Sequence, residues 1–217
     1  MKGQVNRMQA IKPYTQIYKD FDGQKVLQKI EAAARTCYKS EGKIQEGSAA
    51  KLVAGLIKSG HEAMLEHASV TVKFVVDRGI SHELVRHRLA SFAQESTRYC
   101  NYSKDDFGSE ITFIIPDYLE YKSEGWNIWK ESMKQAEDAY FKMLDFGLSP
   151  QQARAVLPNS LKTEVVMTAN LREWRHFFKL RALGTTGKPH PQMLEVVVPL
   201  LEDMKNLIPV VFDDLVV

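Results

Sequence analysis

Residues 86–98 read Arg86-His87-Arg88-Leu89-Ala90-Ser91-Phe92-Ala93-Gln94-Glu95-Ser96-Thr97-Arg98 and hold the densest chemistry in the chain. Three adjacent basic or near-basic side chains span about 200° of a helix, so in mid-helix they would point apart. At a helix C-terminus, where the chain unwinds and the macrodipole favours positive charge, they can fan around an anion. The stretch after Leu89 turns polar and suits a loop that offers hydroxyls, an amide and backbone N–H groups. A second group, Asn170, Arg172, Arg175, His176, Lys179 and Arg181, lies among Leu171, Trp174, Phe177, Phe178 and Leu180. Arg154 stands alone in the apolar run Ala153-Arg154-Ala155-Val156-Leu157-Pro158. An arginine in such a setting is expected to be paired or to meet an anionic ligand. The guanidinium fork donates two parallel hydrogen bonds, which suits phosphate and planar, carbonyl-rich rings. An isolated Arg-His-Arg is ordinarily a solvated helix end with surface arginines; a second cluster elsewhere in the chain weakens that reading.

Charge separates the candidate ligands. Lysine and arginine total 29 against 27 aspartate and glutamate, a net charge of +2, too small for a surface that grips nucleic acid throughout. Local clusters without global basicity favour a small anionic molecule. A nucleic-acid-binding protein using the Arg86–Arg98 basic helix end is the alternative, and the lack of a basic stripe with stacking aromatics speaks against it. At 217 residues, 44% hydrophobic and 26% charged, the composition excludes disordered, collagen-like and coiled-coil classes. Cys37 and Cys100 make no disulfide framework, and neither has an evident activating partner. Met1–Arg7 has no apolar h-region, and runs such as Ile111–Pro116 and Val196–Leu201 fall far short of the ~20 residues of a membrane span. The expectation is a soluble, cytoplasmic protein with no membrane partner.

Other chemistries lack their signatures. There is no GxGxxG after a strand, no phosphate-binding P-loop and no GxSxG elbow. His61 and His67 are six residues apart, about 600° around a helix, and His82-Glu83-Leu84-Val85-Arg86 puts an arginine where a zinc helix needs histidine. No metal site is expected.

Arg86-His87-Arg88, seven residues, then Ser96 resembles the RHR-x7-S signature of the flavin-dependent thymidylate synthases. Gly60-His61-Glu62 with Glu66-His67 resembles the family's upstream block, and Ala34-Arg35-Thr36-Cys37-Tyr38 its first-helix block. Ala153-Arg154 with Leu157-Pro158, Asn170-Leu171-Arg172 and Leu180-Arg181-Ala182 look like its downstream blocks, in the family's order over residues 30–195. The resemblance implies conversion of dUMP to dTMP, with a methylene from 5,10-methylenetetrahydrofolate and reducing equivalents from NADPH through bound FAD. It also implies a homotetramer whose active sites borrow residues from several subunits.

Carried over residue by residue, the resemblance places Ala63 (by its backbone), Arg86, His87, Arg88, Gln94, Asn170, Arg172 and His176 at FAD. It places Glu83, Arg86, Gln94, Glu95, Ser96, Thr97, Arg98, Arg154 and Arg181 at dUMP, Arg154 acting from a neighbouring subunit. Arg181 matches the arginine at the uracil edge that favours ionisation at N3. Ser96 is read as a hydrogen-bonding orienter, because a serine nucleophile needs an adjacent base and none is evident. His61 either positions cofactors or is structural. Glu83 stands where some members have Gln, His176 where some have Asn, and Ala93 and Glu95 also depart from the family's pattern. A nucleotide-binding relative without catalysis is a third reading.

The elements that must hold these residues follow from periodicity. Helical spacing covers Gln24–Tyr38, Gly47–Gly60 with Gly60 at the C-cap, and Gly79–Leu89 with Ile80, Leu84, Val85 and Leu89 inward. It continues in Trp126–Phe146, ended by Gly147, in a start at Ser149-Pro150, and in Asn170–Leu183 and Pro191–Leu207. Ser69–Val76 and Ile111–Ile115 read as strands. Helices and strands do not alternate strictly, so the class is α+β, with one domain over residues 1–217. The resemblance adds a small, mostly antiparallel sheet flanked by helices.

Overall fold

The computed structural model describes residues 8–18, 22–99, 102 and 110–217. Cys100 and Met1–Arg7, on which two of the expectations rest, lie outside them. The chain packs as two compact units. One holds the described residues of 1–14, 74–84 and 93–165; the other holds those of 15–73, 85–92 and 166–217.

In the second unit, α1 (Gly23–Thr36) starts where the Asp22 side chain accepts from the backbone N–H of Gln24 and Lys25. Its buried face is Leu27, Ile30 and Ala34, at helical spacing. Gly23 has no room for a side chain, since a Cβ there would lie 1.9 Å from the carbonyl oxygen of Leu207. α2 (Ser48–Lys58) ends at Gly60, whose φ of +72° suits glycine. Gly60 N–H bonds Ile57 and His61 N–H bonds Leu56, a Schellman closure that delivers His61 into the following 3₁₀ turn, Glu62–His67. α6 (Leu171–Arg181) buries Leu171, Trp174, Phe177 and Phe178, and α7 (Pro191–Leu207) buries Met193, Val197, Leu200, Leu201 and Met204. In the first unit α4 (Glu124–Asp145) presents Met133 and Tyr140 to a core with Ile111, Phe113 and Leu161. Its buried Glu137 accepts from the Ile111 N–H at 2.8 Å.

The larger sheet has strand order β2-β3-β6-β4, from β2 (Tyr14–Ile17), β3 (Ser69–Asp77), β4 (Ser91–Gln94) and β6 (Lys162–Asn170). β3 and β6 run antiparallel: Leu171 N–H bonds Ala68, the Thr71 and Thr168 hydroxyls are 2.9 Å apart, and Arg78 N–H bonds Leu161. β1 (Gln9–Ile11) and β5 (Thr112–Ile114) form a parallel pair with Ala10 opposite Phe113. Mixed helix and strand around a small sheet is the expected class.

Two local expectations are corrected. α3 (Arg78–Leu84) stops short of Leu89, and Val85 and Leu89 are 39% and 78% exposed instead of inward. The inward series is Ile80, Leu84 and His87, which keeps the i, i+4, i+7 spacing with a histidine as its last member. Part of the expected loop after Leu89 is the strand β4. β6 is a strand beyond the two expected from the sequence: Lys162–Asn170 buries alternate residues Thr163, Val165, Met167 and Ala169. Among the described residues, no helix is long and apolar enough to cross a membrane.

Candidate active site

The expected site residues fall on both units. On the first, β4 leads into the turn carrying Glu95–Arg98, and α5 (Pro150–Ala153) leads into the 3₁₀ turn Arg154–Val156. Pro150 occupies the first helical position behind Ser149, as expected. Arg154 Nη1 donates to the buried Thr97 hydroxyl at 3.2 Å, and Arg98 Nε donates to Gln151 at 3.1 Å. The two arginine-bearing segments therefore meet, although over fifty residues separate them. Arg154 itself is exposed, which corrects the apolar setting expected from its neighbours. The Gln94 amide donates to Ser81 and Thr163, fixing the start of the turn. The Ser96 hydroxyl accepts from Arg98 N–H at 3.3 Å. Glu83, half-buried, lies in the last turn of α3.

Glu95 is held by a lysine the sequence reading passed over. Lys162 Nζ lies 3.0 Å from Glu95 and 2.8 Å from Glu164, and the Tyr102 hydroxyl donates to Glu95 at 3.4 Å. Burial works against the Lys162 charge, but the two carboxylates outweigh it and hold its pKa above the ordinary lysine value. A fully charged ammonium thus offsets Glu95 in a turn expected to meet phosphate. The alternation of β6 was the available signal for Lys162.

On the second unit, Arg86-His87-Arg88 lie in the turn that follows α3, past the helix end at Leu84 and short of the helix to Leu89 expected from the sequence. Arg86 and Arg88 are exposed, and no hydrogen bond or ion pair with a described residue engages either. His87 is 5% exposed; its Nδ1 lies 3.0 Å from Glu173, and its Nε2 receives the Arg181 Nε–H at 3.2 Å. Burial, with Arg181 and His176 close by, holds the His87 pKa below the ordinary imidazole value against the pull of Glu173. Asn170 caps α6 through its Oδ1, which accepts from Glu173 N–H at 2.8 Å.

A cavity of about 700 Å³ opens here, lined by Leu89, Asn170, Arg172, Glu173, His176 and Lys179 together with Glu62 and Glu66. Three carboxylates would repel an anionic ligand, yet each has a cationic or hydrogen-bonding partner. Glu66 meets Arg172 at 2.6 Å, Glu62 meets Arg175 at 3.0 Å and Lys179 at 3.6 Å, and Glu173 meets His87. Arg175, a member of the second basic cluster in the sequence, is buried, and it grips Asp214 with both terminal nitrogens at 2.6 and 2.7 Å. Ala63 is exposed on the 3₁₀ turn. His61, also exposed, lines another cavity of about 760 Å³ with Arg35, Lys43 and Lys51. Cys37, exposed at the C-cap of α1, is a free thiol.

A family model described as thymidylate synthase complementing protein matches residues 22–210. The chain is 32% identical over 192 residues to the flavin-dependent thymidylate synthase of Geobacter sulfurreducens, covering 85% of this chain and 80% of that one. The chain belongs to the flavin-dependent thymidylate synthase family. A second relative, the flavin-dependent thymidylate synthase of Pyrococcus furiosus, is 35% identical over 163 residues, which are 75% of this chain but 65% of that one. The family's fold is shared with a crystal structure of the UMP/dUMP methylase PolB from Streptomyces cacaoi bound with 5-Br dUMP. That structure has a TM-score of 0.74 and 25% identity over 94% of this chain and 95% of that chain. The same methylase bound with 5-Br UMP aligns at a TM-score of 0.75 with 21% identity.

Proposed function

We propose that this family member converts dUMP to dTMP in the cytoplasm by reductive methylation. It would use 5,10-methylenetetrahydrofolate as carbon donor, NADPH as reductant and FAD as its flavin. The observation that carries the reading is the charge-balanced cavity beside the Arg-His-Arg turn. Its donor set fits a flavin: Asn170, Arg172, His176 and Lys179 offer donors for ring carbonyls and phosphate, and the exposed Leu89 offers apolar surface. When bound, FAD supplies the two electrons that turn a transferred methylene into a methyl group.

The chain's own residues divide the remaining work. Arg86 and Arg88, free of partners among the described residues, would hold the anionic parts of the flavin through charge-assisted bonds. Gln94, Ser96, Thr97, Arg98 and Arg154 would hold the phosphate and sugar of dUMP, with Lys162 keeping Glu95 neutralised. Arg181 would lie at the uracil edge, where a fixed cation stabilises negative charge developing on the ring. Among the described residues, neither Ser96 nor the exposed Cys37 is hydrogen-bonded to a base, and the proposed reaction uses no protein nucleophile on the ring. A homotetramer with shared sites is part of it, supported by apolar side chains on the surface at Tyr38, Leu89, Tyr99 and Phe146.

The test uses protein loaded with FAD under anaerobic conditions. NADPH should bleach the flavin absorbance, and dUMP with 5,10-methylenetetrahydrofolate should restore it with formation of dTMP. Colourless protein that takes up no FAD, together with a salt-sensitive gel shift on RNA or DNA, would favour the nucleic-acid reading instead.

A further inference from the structure

We infer that His87 is a positioning residue, which sets the plane of the Arg181 guanidinium by accepting from its Nε while donating to Glu173. The proposal rests on the reading of Arg181 as the residue at the uracil edge.

The hydrogen bonds leave the ring one tautomer. A guanidinium only donates, so Nε2, 3.2 Å from Arg181 Nε, must be the unprotonated nitrogen. The ring proton then sits on Nδ1 and is donated to Glu173 at 3.0 Å. One neutral tautomer satisfies both partners, and burial together with the nearby positive charge favours that neutral form. A protonated ring would set N–H against N–H and cation against cation.

The fold builds this chain of contacts deliberately on one helix ridge. Glu173, Phe177 and Arg181 stand at i, i+4 and i+8 of α6, one above the other. His87 lies across that ridge, its ring edge-on to Phe177 with centroids 4.9 Å apart. Among the described residues, the titratable and charged groups facing it are Glu173, His176 and Arg181, all from α6; its sequence neighbours Arg86 and Arg88 are exposed. The imidazole has both nitrogens engaged inside the protein, whereas Arg86 and Arg88 on either side have theirs available. Because Nε–H lies in the guanidinium plane, anchoring Nε orients the whole group. With both ring nitrogens committed to Glu173 and Arg181, His87 departs from the FAD contact that the resemblance implies for it, so its loss should be read at the dUMP site and leave the flavin in place.

Two substitutions separate the two ring nitrogens. His87→Asn keeps an amide near the Nδ1 position, for Glu173, and loses the acceptor for Arg181. His87→Gln reaches the Nε2 position and restores a non-titrating acceptor. Measured on the FAD-loaded enzyme, H87N should weaken dUMP binding, by calorimetry and by KM, about tenfold to hundredfold with bound flavin per protomer unchanged. H87Q should recover most of that loss. In the wild type, dUMP KM should rise as pH falls through the depressed His87 value, because an imidazolium cannot accept; H87Q should lack that limb. Should H87N fail to fold, Glu173→Gln provides the readout: without the carboxylate, the limb moves to lower pH. Equal losses in H87N and H87Q, an acid limb unmoved in E173Q, or loss of flavin from H87N with dUMP binding intact would each overturn the proposal. A wild-type enzyme that binds no dUMP would overturn the functional reading first, before any variant is compared.

Discussion

Arg175→Met tests how the second unit holds its cavity wall. The Arg175 side chain is 2% exposed and makes four hydrogen bonds: Nε to Glu62, Nη1 and Nη2 to Asp214, and Nη1 to the carbonyl of Val211. Burial disfavours its charge, and Asp214 and Glu62 more than restore it. Methionine fills much of the same volume, so the loss is mainly electrostatic. Removing one member of a buried pair costs about 3–5 kcal/mol. Here Asp214 is half exposed and regains water, and Glu62 keeps Lys179, so the lower end applies, about 3 kcal/mol. For a chain of this length that is a fall of about 6–12 °C in melting temperature. Urea titration should give the same loss with an unchanged m-value. The Arg175 bond also holds Asp214 below the ordinary carboxylate range, so its stabilisation is complete above the unfolded value and is lost as pH falls through the folded one. R175M should flatten that acid-side slope. A stability change under about 1 kcal/mol, with the slope intact, would refute the assignment of Arg175 as the unit's internal tie.

Arg88→Ala should weaken FAD binding about tenfold to hundredfold and dUMP binding much less, read by flavin retention on gel filtration and by calorimetry; unchanged retention would remove Arg88 from the flavin site. Gly60→Ala should cost about 1–2 kcal/mol in thermal or urea unfolding, because the left-handed conformation that closes α2 strains any Cβ. His87 is kept neutral in the folded state, so its contribution to stability is complete above the unfolded value of about 6.5 and is lost as pH falls through the depressed folded value. H87Q should remove that portion of the pH-dependence of unfolding.

Long amphipathic segments were legible because periodicity and punctuation agree. Pro191–Leu207 carries proline at its first position and an unbroken apolar face, and the helix has those bounds. Gly60 and Gly147 mark helix ends, and both have positive φ. The failures are at places where tertiary context decides. The inward series that starts in α3 ends on His87, three residues past the helix, so a pattern read from aliphatic residues alone ran on to Leu89. β4 is short, and its pairing with β6 is a long-range contact that its polar sequence does not announce. In the site, the sequence grouped cations by type. It could not separate Arg175, which is buried against Asp214 and Glu62, from Arg172, which is exposed beside the cavity. Nor could it find Lys162 and Glu173, whose roles depend on partners 67 and 86 residues away.

The most direct measurement of the central claim is release of tritium from dUMP labelled at C5, by FAD-loaded protein given NADPH and 5,10-methylenetetrahydrofolate. The account predicts release of label in step with dTMP formation, and none when any one of the three is omitted. Retention of the label under the complete conditions, in protein that carries flavin and binds dUMP, would contradict it.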